Sequence, residues 1–395
     1  MTAVRAETAE AGSGGLGSGH APRRFAELDG LRGLAALAVL TTHVAFSTGA
    51  YGRGTGGALL ARLDVGVAVF FALSGFLLFR PWLVAGATGA AGPRTAAYLW
   101  RRALRVLPAY WVAVVGALVL LPASTVGAGT WLQHLLLVHV YGGDWRREGL
   151  THTWSLATEV AFYVALPLLG AWTVRRLRGA WSPAPPLALC GALLAGGVCG
   201  TVLAHAGLLP DGGGLWLTAH AGWFAGGMAL AVASVHRETG GGGAWDRRVD
   251  ALAAQPWSCW LLAGGLLWIA ATPLAGPLDP IPFGVAPALV KELLYLGVAV
   301  LLLLPVALRP GQPTLAAAVL TSRPLVRLGE LSYGVFLLHL LVLTLLRRAL
   351  GVTELGGSLL ELLVLTLVGT LVLAALSRRL VELPALRLRD RVADR

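Results

Sequence analysis

Long apolar stretches recur along the whole chain and are separated by short polar segments. Each stretch is about 20 residues long, which is the length that a helix needs to cross a hydrocarbon core of about 30 Å. The candidate spans are residues 31–50, 65–84, 106–124, 154–174, 184–205, 215–235, 257–273, 287–307, 331–350 and 359–377. The pattern therefore predicts an all-α polytopic membrane protein with about ten transmembrane helices.

Two of these spans and three other segments depart from the simple pattern. Span 215–235 carries a histidine, and span 257–273 is short. Residues 131–141, WLQHLLLVHVY, are too short to cross a bilayer and predict an interfacial or re-entrant segment. The glycines at 240–243 form a flexible linker, and the charged sequence WDRRVDAL that follows them predicts a short surface helix.

Composition and charge support a membrane protein and argue against a nucleic-acid-binding one. The chain is 56% hydrophobic and 13% charged, with a mean hydropathy of +0.72, whereas soluble domains are about 25% charged. Its net charge is +11, but the 31 basic residues lie at the ends of the apolar stretches and form no continuous basic stripe. Most of them fall on one side of the ten spans, which predicts that the N- and C-termini are both cytoplasmic.

The chain divides into one membrane domain and two short tails. Residues 1–22 are rich in Gly, Ala, Ser and Glu, so we expect a disordered cytoplasmic tail there. Residues 23–385 are the predicted transmembrane domain, and residues 386–395 are a short basic cytoplasmic tail. No apolar run begins before Leu31, so no signal peptide is evident and the first span is expected to be a retained signal anchor in the plasma membrane.

The first span carries an arginine and a histidine on one face. Arg32 and His43 are eleven residues apart, which corresponds to three helical turns plus about 20° and a rise of about 16.5 Å. This spacing predicts Arg32 at the cytoplasmic boundary and His43 near the middle of the membrane. Either an anion held at Arg32 reaches the imidazole, or Arg32 is a topological anchor and His43 a buried structural histidine.

A carboxylate lies within the fourth span, at Glu159 in THTWSLATEVAFY. An ionised carboxylate in an apolar environment needs a cationic or hydrogen-bonding partner, and His43 or an arginine is the expected one. Trp154 and Ser155 precede it on the same helix. The pair that Glu159 forms either locks two spans together or takes part in catalysis.

Three arginines precede the third span in YLWRRALRVLPAYW. Arg102 and Arg105 are spaced i, i+3, and Arg101 and Arg105 are spaced i, i+4, so one helical face carries two guanidinium groups. Guanidinium groups bind phosphate in a bidentate manner, so the cluster predicts an anion site. A single arginine here would equally well be a stop signal for topology.

Two other spans contain polar side chains that also have an ordinary structural explanation. Ser74 and Gly75 interrupt FFALSGFLLFRPW, where small residues typically permit close helix packing. In LSYGVFLLH, Tyr333 and His339 lie on the ninth span, and His339 is either a second core histidine or a residue of a substrate pathway. The chain has three cysteines, and they lie in apolar segments without a CxxC motif or a histidine at ligand spacing, so no metal site is expected.

Six motifs occur in order across the spans: LDGLRGLAAL, FFALSGFLL, the Arg-x-x-Arg before PAYW, WSLATEVAFY, LSYGVFLLH and RRLVELP. With them, the chain resembles the acyltransferase-3 family of integral membrane O-acyltransferases over about residues 25–390. The motif around Arg32 and His43 matches the family's arginine and histidine separated by ten residues.

The resemblance implies an acyl-CoA-dependent acyltransferase, with acetyl-CoA as the expected donor, bound from the cytoplasm. The acceptor would be a hydroxyl of a sugar, a cell-envelope glycan or a secondary metabolite. By motif, His43 becomes the catalytic base or acyl relay, with Glu159 supporting it, and Arg32, Arg102 and Arg105 bind the donor. Further expected supporting residues are Asp29, Ser74, Trp154, Ser155, Tyr333 and His339.

The chain differs from some members of the family in two respects. Members with a soluble hydrolase-like domain carry it after the last span, whereas few residues follow Pro384 here, so we expect a stand-alone membrane domain that acts alone or with a separate partner. Many members have two carboxylates in the WSL motif, whereas Thr158 precedes Glu159 in this chain.

Two other classes of function are open at the level of sequence. A transporter or flippase for a lipid-linked or small polar substrate would use the same charged residues as a translocation path. The chain has no internal repeat of the kind that many transporters contain, which argues against this alternative. A scaffold without chemistry gives no reason for the ionisable residues, and the sequence leaves the oligomeric state open.

Overall fold

A computed structural model describes residues 26–121, 126–278, 283–353 and 355–388. Throughout these ranges the chain is helical, and no strand occurs within them. In chain order the α-helices are α1 (Ala26–Ser47), α2 (Gly54–Ala61), α3 (Gly66–Thr88), α4 (Thr95–Leu120), α5 (Ala128–Leu135), α6 (His139–Gly142), α7 (Trp154–Leu177), α8 (Ala184–His205), α9 (Leu217–Glu238), α10 (Ala244–Ala253), α11 (Pro256–Ala270), α12 (Val285–Leu308), α13 (Leu315–Leu320), α14 (Arg323–Ala349), α15 (Leu359–Ser377) and α16 (Leu383–Leu386).

Nine helical segments of the described chain are long and apolar enough to cross a membrane. Helices α10 and α11 meet at an angle of 84°, and the number of spans is ten if this bent pair crosses the membrane as one span. The prediction of an all-α protein with about ten spans is therefore confirmed. The short predicted span at 257–273 corresponds to α11. The surface helix predicted for WDRRVDAL corresponds to α10. The predicted tail at 1–22 and most of the one at 386–395 lie outside the described residues.

Helix α3 lies at the centre of the bundle. It packs against α9, α7, α12 and α1, while α1 packs along α14 and α14 along α15. Long apolar side chains of α3 such as Phe71, Phe76 and Phe79 are fully buried in this core. The helices that carry the predicted site residues, namely α1, α3, α4, α7 and α14, are therefore neighbours.

Glycine residues allow α3 and α9 to approach each other closely. A methyl group added at Gly75 would strike the backbone oxygen of Phe224, and one added at Gly227 would strike the backbone of Ala72. Contacts between small residues on neighbouring helices are a common device for packing helices in membranes. The sequence-based reading of Gly75 as a packing residue agrees with this contact.

Helices α5 and α6 are two short elements between the spans of α4 and α7. They correspond to the segment at 131–141 that is too short to cross a bilayer. The backbone turns at Leu137, which adopts a left-handed conformation with φ of 58°. Tyr110 of α4 donates a hydrogen bond of 2.6 Å to the carbonyl of His134 and so holds this segment against the bundle.

A buried arginine secures the loop after α11. Arg62 donates hydrogen bonds from Nε to the carbonyl of Ala270 and from Nη2 to the carbonyls of Ala275, Gly276 and Pro277, at 2.8 to 3.1 Å. Carbonyl oxygens thus satisfy a guanidinium group that is only 3% exposed. Arg62 is structural, a role that its place in the sequence did not indicate.

Candidate active site

A cavity of about 540 Å³ opens among α1, α3, α4, α7 and α14. Five guanidinium groups and three carboxylates face one part of it, and apolar side chains line the rest. Apart from Glu159, which is in the second turn of α7, the charged residues lie in the N-terminal halves of α1, α4 and α14 and just after α15, which are the helix ends predicted to be cytoplasmic. The charged lining residues are Asp29, Arg32, Arg101, Arg102, Arg105, Glu159, Glu330 and Arg378.

The arginines of the cavity are largely unpaired. Among the described residues, Arg32, Arg101 and Arg105 make no hydrogen bond or ion pair, and Arg102 lies over the ring of Tyr163 at 5.9 Å. Guanidinium groups that face a shared space repel one another unless an anion lies between them. The arrangement therefore suits an anionic ligand, as the Arg-x-x-Arg spacing predicts.

One further arginine reaches the cavity through an irregularity in its helix. The chain forms a π-helical turn at Arg378–Glu382 between α15 and α16, in the closing RRLVELP motif. Arg378 donates a hydrogen bond of 2.7 Å to the carbonyl of Glu330 and forms an ion pair of 3.2 Å with its carboxylate. Such single π turns are frequent at functional sites. From the sequence, Arg101 was noted as part of the arginine cluster but was not among the predicted donor-binding residues, and Arg378 was not predicted.

Glu159 finds its partner on α3. The hydroxyl of Ser74 donates a short hydrogen bond to Glu159 Oε1, and both side chains line the cavity. The partner is thus neither His43 nor an arginine, although a hydrogen-bonding partner was expected. Thr158 does not line the cavity and donates to the carbonyl of Leu215 at 2.5 Å.

Tyr333 and Ser332 place α14 at the same cavity. The Tyr333 hydroxyl donates a hydrogen bond of 2.7 Å to the carbonyl of Val106, which is on α4 between the arginines and Pro108. Ser332 bonds the carbonyl of Gly329 within its own helix at 2.7 Å. The motifs LSYGVFLLH and RRALRVLPAYW are therefore in direct contact, although more than 200 residues separate them.

Three histidines from distant parts of the chain form a cluster beside the cavity. His43 lies one turn before the end of α1, His152 lies just before α7, and His339 lies on α14. The ring centroids are 4.9 Å apart for His43 and His339, 4.8 Å for His152 and His339, and 6.3 Å for His43 and His152. The sequence analysis missed His152, although its place two residues before Trp154 in a motif was a signal.

An aromatic side chain stands between the histidine cluster and the cavity. Phe336 lines the cavity and also contacts the rings of His152 at 5.2 Å and His339 at 6.0 Å. It packs edge-on against Phe70, another lining residue, at 5.8 Å. His43 is not among the residues that line the cavity, so the path from the arginines to the imidazole passes this aromatic pair.

The predicted site residues thus fall into two neighbouring groups. Most of them line the cavity: Asp29, Arg32, Ser74, Arg102, Arg105, Ser155, Glu159 and Tyr333. His43 and His339 belong to the histidine cluster. Trp154 lies on the far side of Ser155, where its ring contacts Phe71 and His220 at 6.4 and 5.1 Å, and so helps to wall the site.

A second groove, of about 650 Å³, lies between α8, α9 and α12. Its lining is mostly apolar, with small residues along α8 and α9. The charged groups at its end are paired with one another: His236 with Asp246 at 3.4 Å and Arg237 with Asp250 at 3.3 Å. None of the predicted site residues lines this groove, and none of its described residues is an unpaired cation. Although it is larger than the charged cavity, it lacks groups that would bind an anionic donor.

The fold and the cavity define a class: a polytopic helical membrane protein with a charged, ligand-sized site among its spans. The family described as "Acyltransferase domain" matches residues 25–378, which is most of the chain. The chain therefore belongs to the acyltransferase-3 family of membrane-bound acyltransferases, as its motifs predict. Within the described residues, no group of histidine, cysteine and acidic side chains has the arrangement of a metal site.

Two relatives illustrate the likeness. "Nodulation protein 10" of Rhizobium leguminosarum bv. viciae is 28% identical over 355 residues, which cover 84% of each chain. "Acyltransferase MdmB" of Streptomyces mycarofaciens is 33% identical over 163 residues, which cover 37% of this chain and 39% of the relative. No solved structure matches the chain significantly.

Proposed function

We propose that this protein transfers an acyl group from acyl-CoA, most simply acetyl-CoA, to a hydroxyl of a sugar, a cell-envelope glycan or a secondary metabolite. It would do so in the plasma membrane, with the donor entering from the cytoplasm. The acyltransferase family sets the type of reaction. The donor, the acceptor and the roles of individual residues belong to the proposal.

The observation that carries the proposal is the set of unpaired guanidinium groups in the cavity. Arg32, Arg102 and Arg105 come from two helices and face one space, and no carboxylate of the described residues lies at ion-pair distance from them. Coenzyme A carries phosphate groups, which such a cluster binds in a bidentate manner. A thioester anchored there would extend its acyl end along the apolar lining of α3 towards Phe336.

His43 is the residue that we assign to chemistry. It is half-buried, whereas the other two rings of the cluster are buried, so it keeps the surface that a substrate needs. A neutral imidazole can take the proton of the acceptor hydroxyl as that oxygen attacks the thioester carbonyl. Alternatively, His43 attacks the thioester itself and carries the acyl group. Glu159 would support either route by ordering the cavity wall through Ser74.

Turnover of acetyl-CoA by the purified protein in detergent or in nanodiscs tests this function. We expect release of free coenzyme A, because an acyltransferase slowly uses water as an acceptor, and faster release when the hydroxyl acceptor is supplied. His43→Ala should lower this rate about 100- to 10,000-fold, the usual contribution of a general base. Acceptor candidates come from mass spectrometry of glycans and metabolites in wild-type and deletion strains.

A matched control separates chemistry from folding. His205 lies on α8, outside the cavity and the cluster, and its Nδ1 bonds a carbonyl four residues earlier just as that of His43 does. His205→Ala should therefore leave turnover unchanged. The proposal is wrong if the wild-type protein neither hydrolyses nor transfers from acyl-CoA, as a flippase would behave, and the assignment of His43 is wrong if His43→Ala keeps full activity.

A further inference from the structure

The histidine cluster contains two rings whose Nδ1 atoms face backbone carbonyls. His43 Nδ1 lies 2.7 Å from the carbonyl oxygen of Val39. His339 Nδ1 lies 2.6 Å from that of Phe336 and 3.2 Å from that of Val335. A carbonyl oxygen can only accept a hydrogen bond, so each Nδ1 carries a proton.

This assignment settles how the two rings interact. His339 Nε2 lies 3.1 Å from His43 Nδ1. A neutral His339 with its proton on Nδ1 has a lone pair on Nε2. The N–H at His43 Nδ1 therefore donates a bifurcated hydrogen bond, to the Val39 carbonyl and to His339 Nε2. The remaining nitrogen of His43, Nε2, is then the unprotonated one. It makes no hydrogen bond with any described residue.

Burial distinguishes the roles of the two rings. His339 has no exposed surface, and its neighbour His152 is only 3% exposed and donates from Nε2 to the carbonyl of Leu337 at 3.1 Å. His43 is the most accessible of the three residues. A substrate therefore meets His43, and His339 acts only through it.

We propose that His339 is a positioning residue that orients the His43 ring and, together with the Val39 carbonyl, keeps its proton on Nδ1, so that Nε2 is the reactive nitrogen. This inference rests on the proposed function of His43. As a base, Nε2 takes the hydroxyl proton while the hydroxyl oxygen bonds to the acyl carbon, the carbon–sulfur bond breaks, and the proton passes to the coenzyme A thiolate. As a nucleophile, the same Nε2 forms the acyl bond and the thiolate leaves.

The pair differs from the arrangement in serine hydrolases, where a carboxylate orients the histidine. No carboxylate among the described residues lies within ion-pair distance of His43. A neutral imidazole can replace the carboxylate as a hydrogen-bond acceptor without adding a buried charge inside the membrane. The role of His339 is therefore that of an acceptor, which an amide oxygen can also supply.

Two substitutions at His339 test this role. His339→Leu removes the acceptor and should lower kcat for acyl transfer roughly 10- to 100-fold, the effect typical of losing a partner that orients a functional histidine, with the KM for acyl-CoA unchanged. His339→Gln, whose amide oxygen can accept from His43 Nδ1, should restore most of the activity. His205→Leu is the control for loss of a half-buried helical histidine and should have no effect.

A spectroscopic measurement tests the same inference without relying on activity. The ¹⁵N spectrum of histidine-labelled wild-type protein, with the His43 signal assigned by comparison with His43→Ala, should show a proton on Nδ1 and none on Nε2. A His43 signal protonated on Nε2 would overturn the inference. So would a His339→Leu variant with wild-type kcat, or a His339→Gln variant as impaired as His339→Leu.

Failure of this inference can be told apart from failure of the proposed function. If His43→Ala is inactive while His339→Leu is fully active, the function stands and the positioning role falls. If the wild-type protein transfers no acyl group, the proposed function falls, and the ¹⁵N spectrum still decides the arrangement of the two rings.

Discussion

Individual polar side chains in this protein are satisfied by neighbours that are distant in sequence. Glu159 accepts from Ser74 on another helix, and Arg62 donates to four carbonyls, one at the end of α11 and three after it. Each partner avoids the free-energy cost of burying an unsatisfied polar group. Among the described residues, Arg32, Arg101 and Arg105 of the cavity are the exception, and that exception points to the site.

A histidine outside the membrane spans should make stability depend on pH. His139 on α6 is fully buried, stacks on His134 at 4.6 Å and lies 3.2 Å from the Thr153 hydroxyl. Burial, reinforced by the neighbouring His134, lowers the pKa of His139 to about 3 from 6.5. The contribution of His139 to the free energy of unfolding is therefore fully present above pH 6.5. It is lost as the pH falls from 6.5 towards 3, because the unfolded chain takes up a proton that the buried ring does not.

We therefore expect the apparent midpoint temperature of unfolding to be lower at pH 5 than at pH 7. Protonation linked to this ring should lower the free energy of unfolding by up to about 2 kcal/mol at pH 5. His139→Gln, whose amide group can still bond Thr153, should make that decline shallower. Burial also lowers the pKa of His134, so part of the decline should remain. Equal pH dependence of the wild-type and variant proteins would contradict the assignment.

The sequence indicated many of the polar residues that line the cavity, but not their contacts. Ionisable residues inside apolar spans are rare enough to stand out, which is why Arg32, His43 and Glu159 were found. Ser74 was read as a packing residue because its partner is 85 positions away and nothing local indicates a carboxylate opposite. The pairing of His43 with His339 spans 296 positions and depends on how α1 packs along α14.

At the scale of elements, the position of α3 decides the geometry of the site. Ser74 of this helix lines the cavity, and the next residue, Gly75, faces α9. Two consecutive residues of α3 therefore serve the site and the close packing of two helices. The apolar periodicity predicted the spans but not their order in space. Helix boundaries also shifted: the first span begins at Ala26 rather than 31, with Glu27 and Asp29 in its first turn, where acidic residues stabilise a helix.

Enlarging a glycine at the contact between α3 and α9 should destabilise the protein. Gly227→Ala places a methyl group against the backbone of Ala72, so the two helices must separate, at a cost of about 1–3 kcal/mol. The apparent midpoint of thermal unfolding should fall, and acyl transfer should fall with it because α3 moves. Gly196→Ala on α8 is the control, since its methyl group meets open space and alanine favours a helix. Equal midpoints for the two variants would contradict this packing.

For the whole molecule, the cavity and the histidine cluster are neighbours, with Phe336 between them. The charged cavity lies towards the helix ends predicted to be cytoplasmic, and His43 lies near the other end of α1. A donor bound by the arginines and an acceptor from the opposite side or the bilayer would then meet near Phe336. The spans and the family were predictable from the sequence. The relative position of the cavity and the histidine cluster was not, because it depends on the packing of five helices.

The proposed function depends most on where the donor binds, and photo-crosslinking measures that place directly. An acyl-CoA analogue with a diazirine in its acyl chain should label peptides of α3 and α4 in the wild-type protein, as mapped by mass spectrometry. The Arg102→Ala/Arg105→Ala double variant should lose most of this label. Labelling of the groove between α8, α9 and α12 instead, or labelling of α3 and α4 that persists in the double variant, would contradict the account.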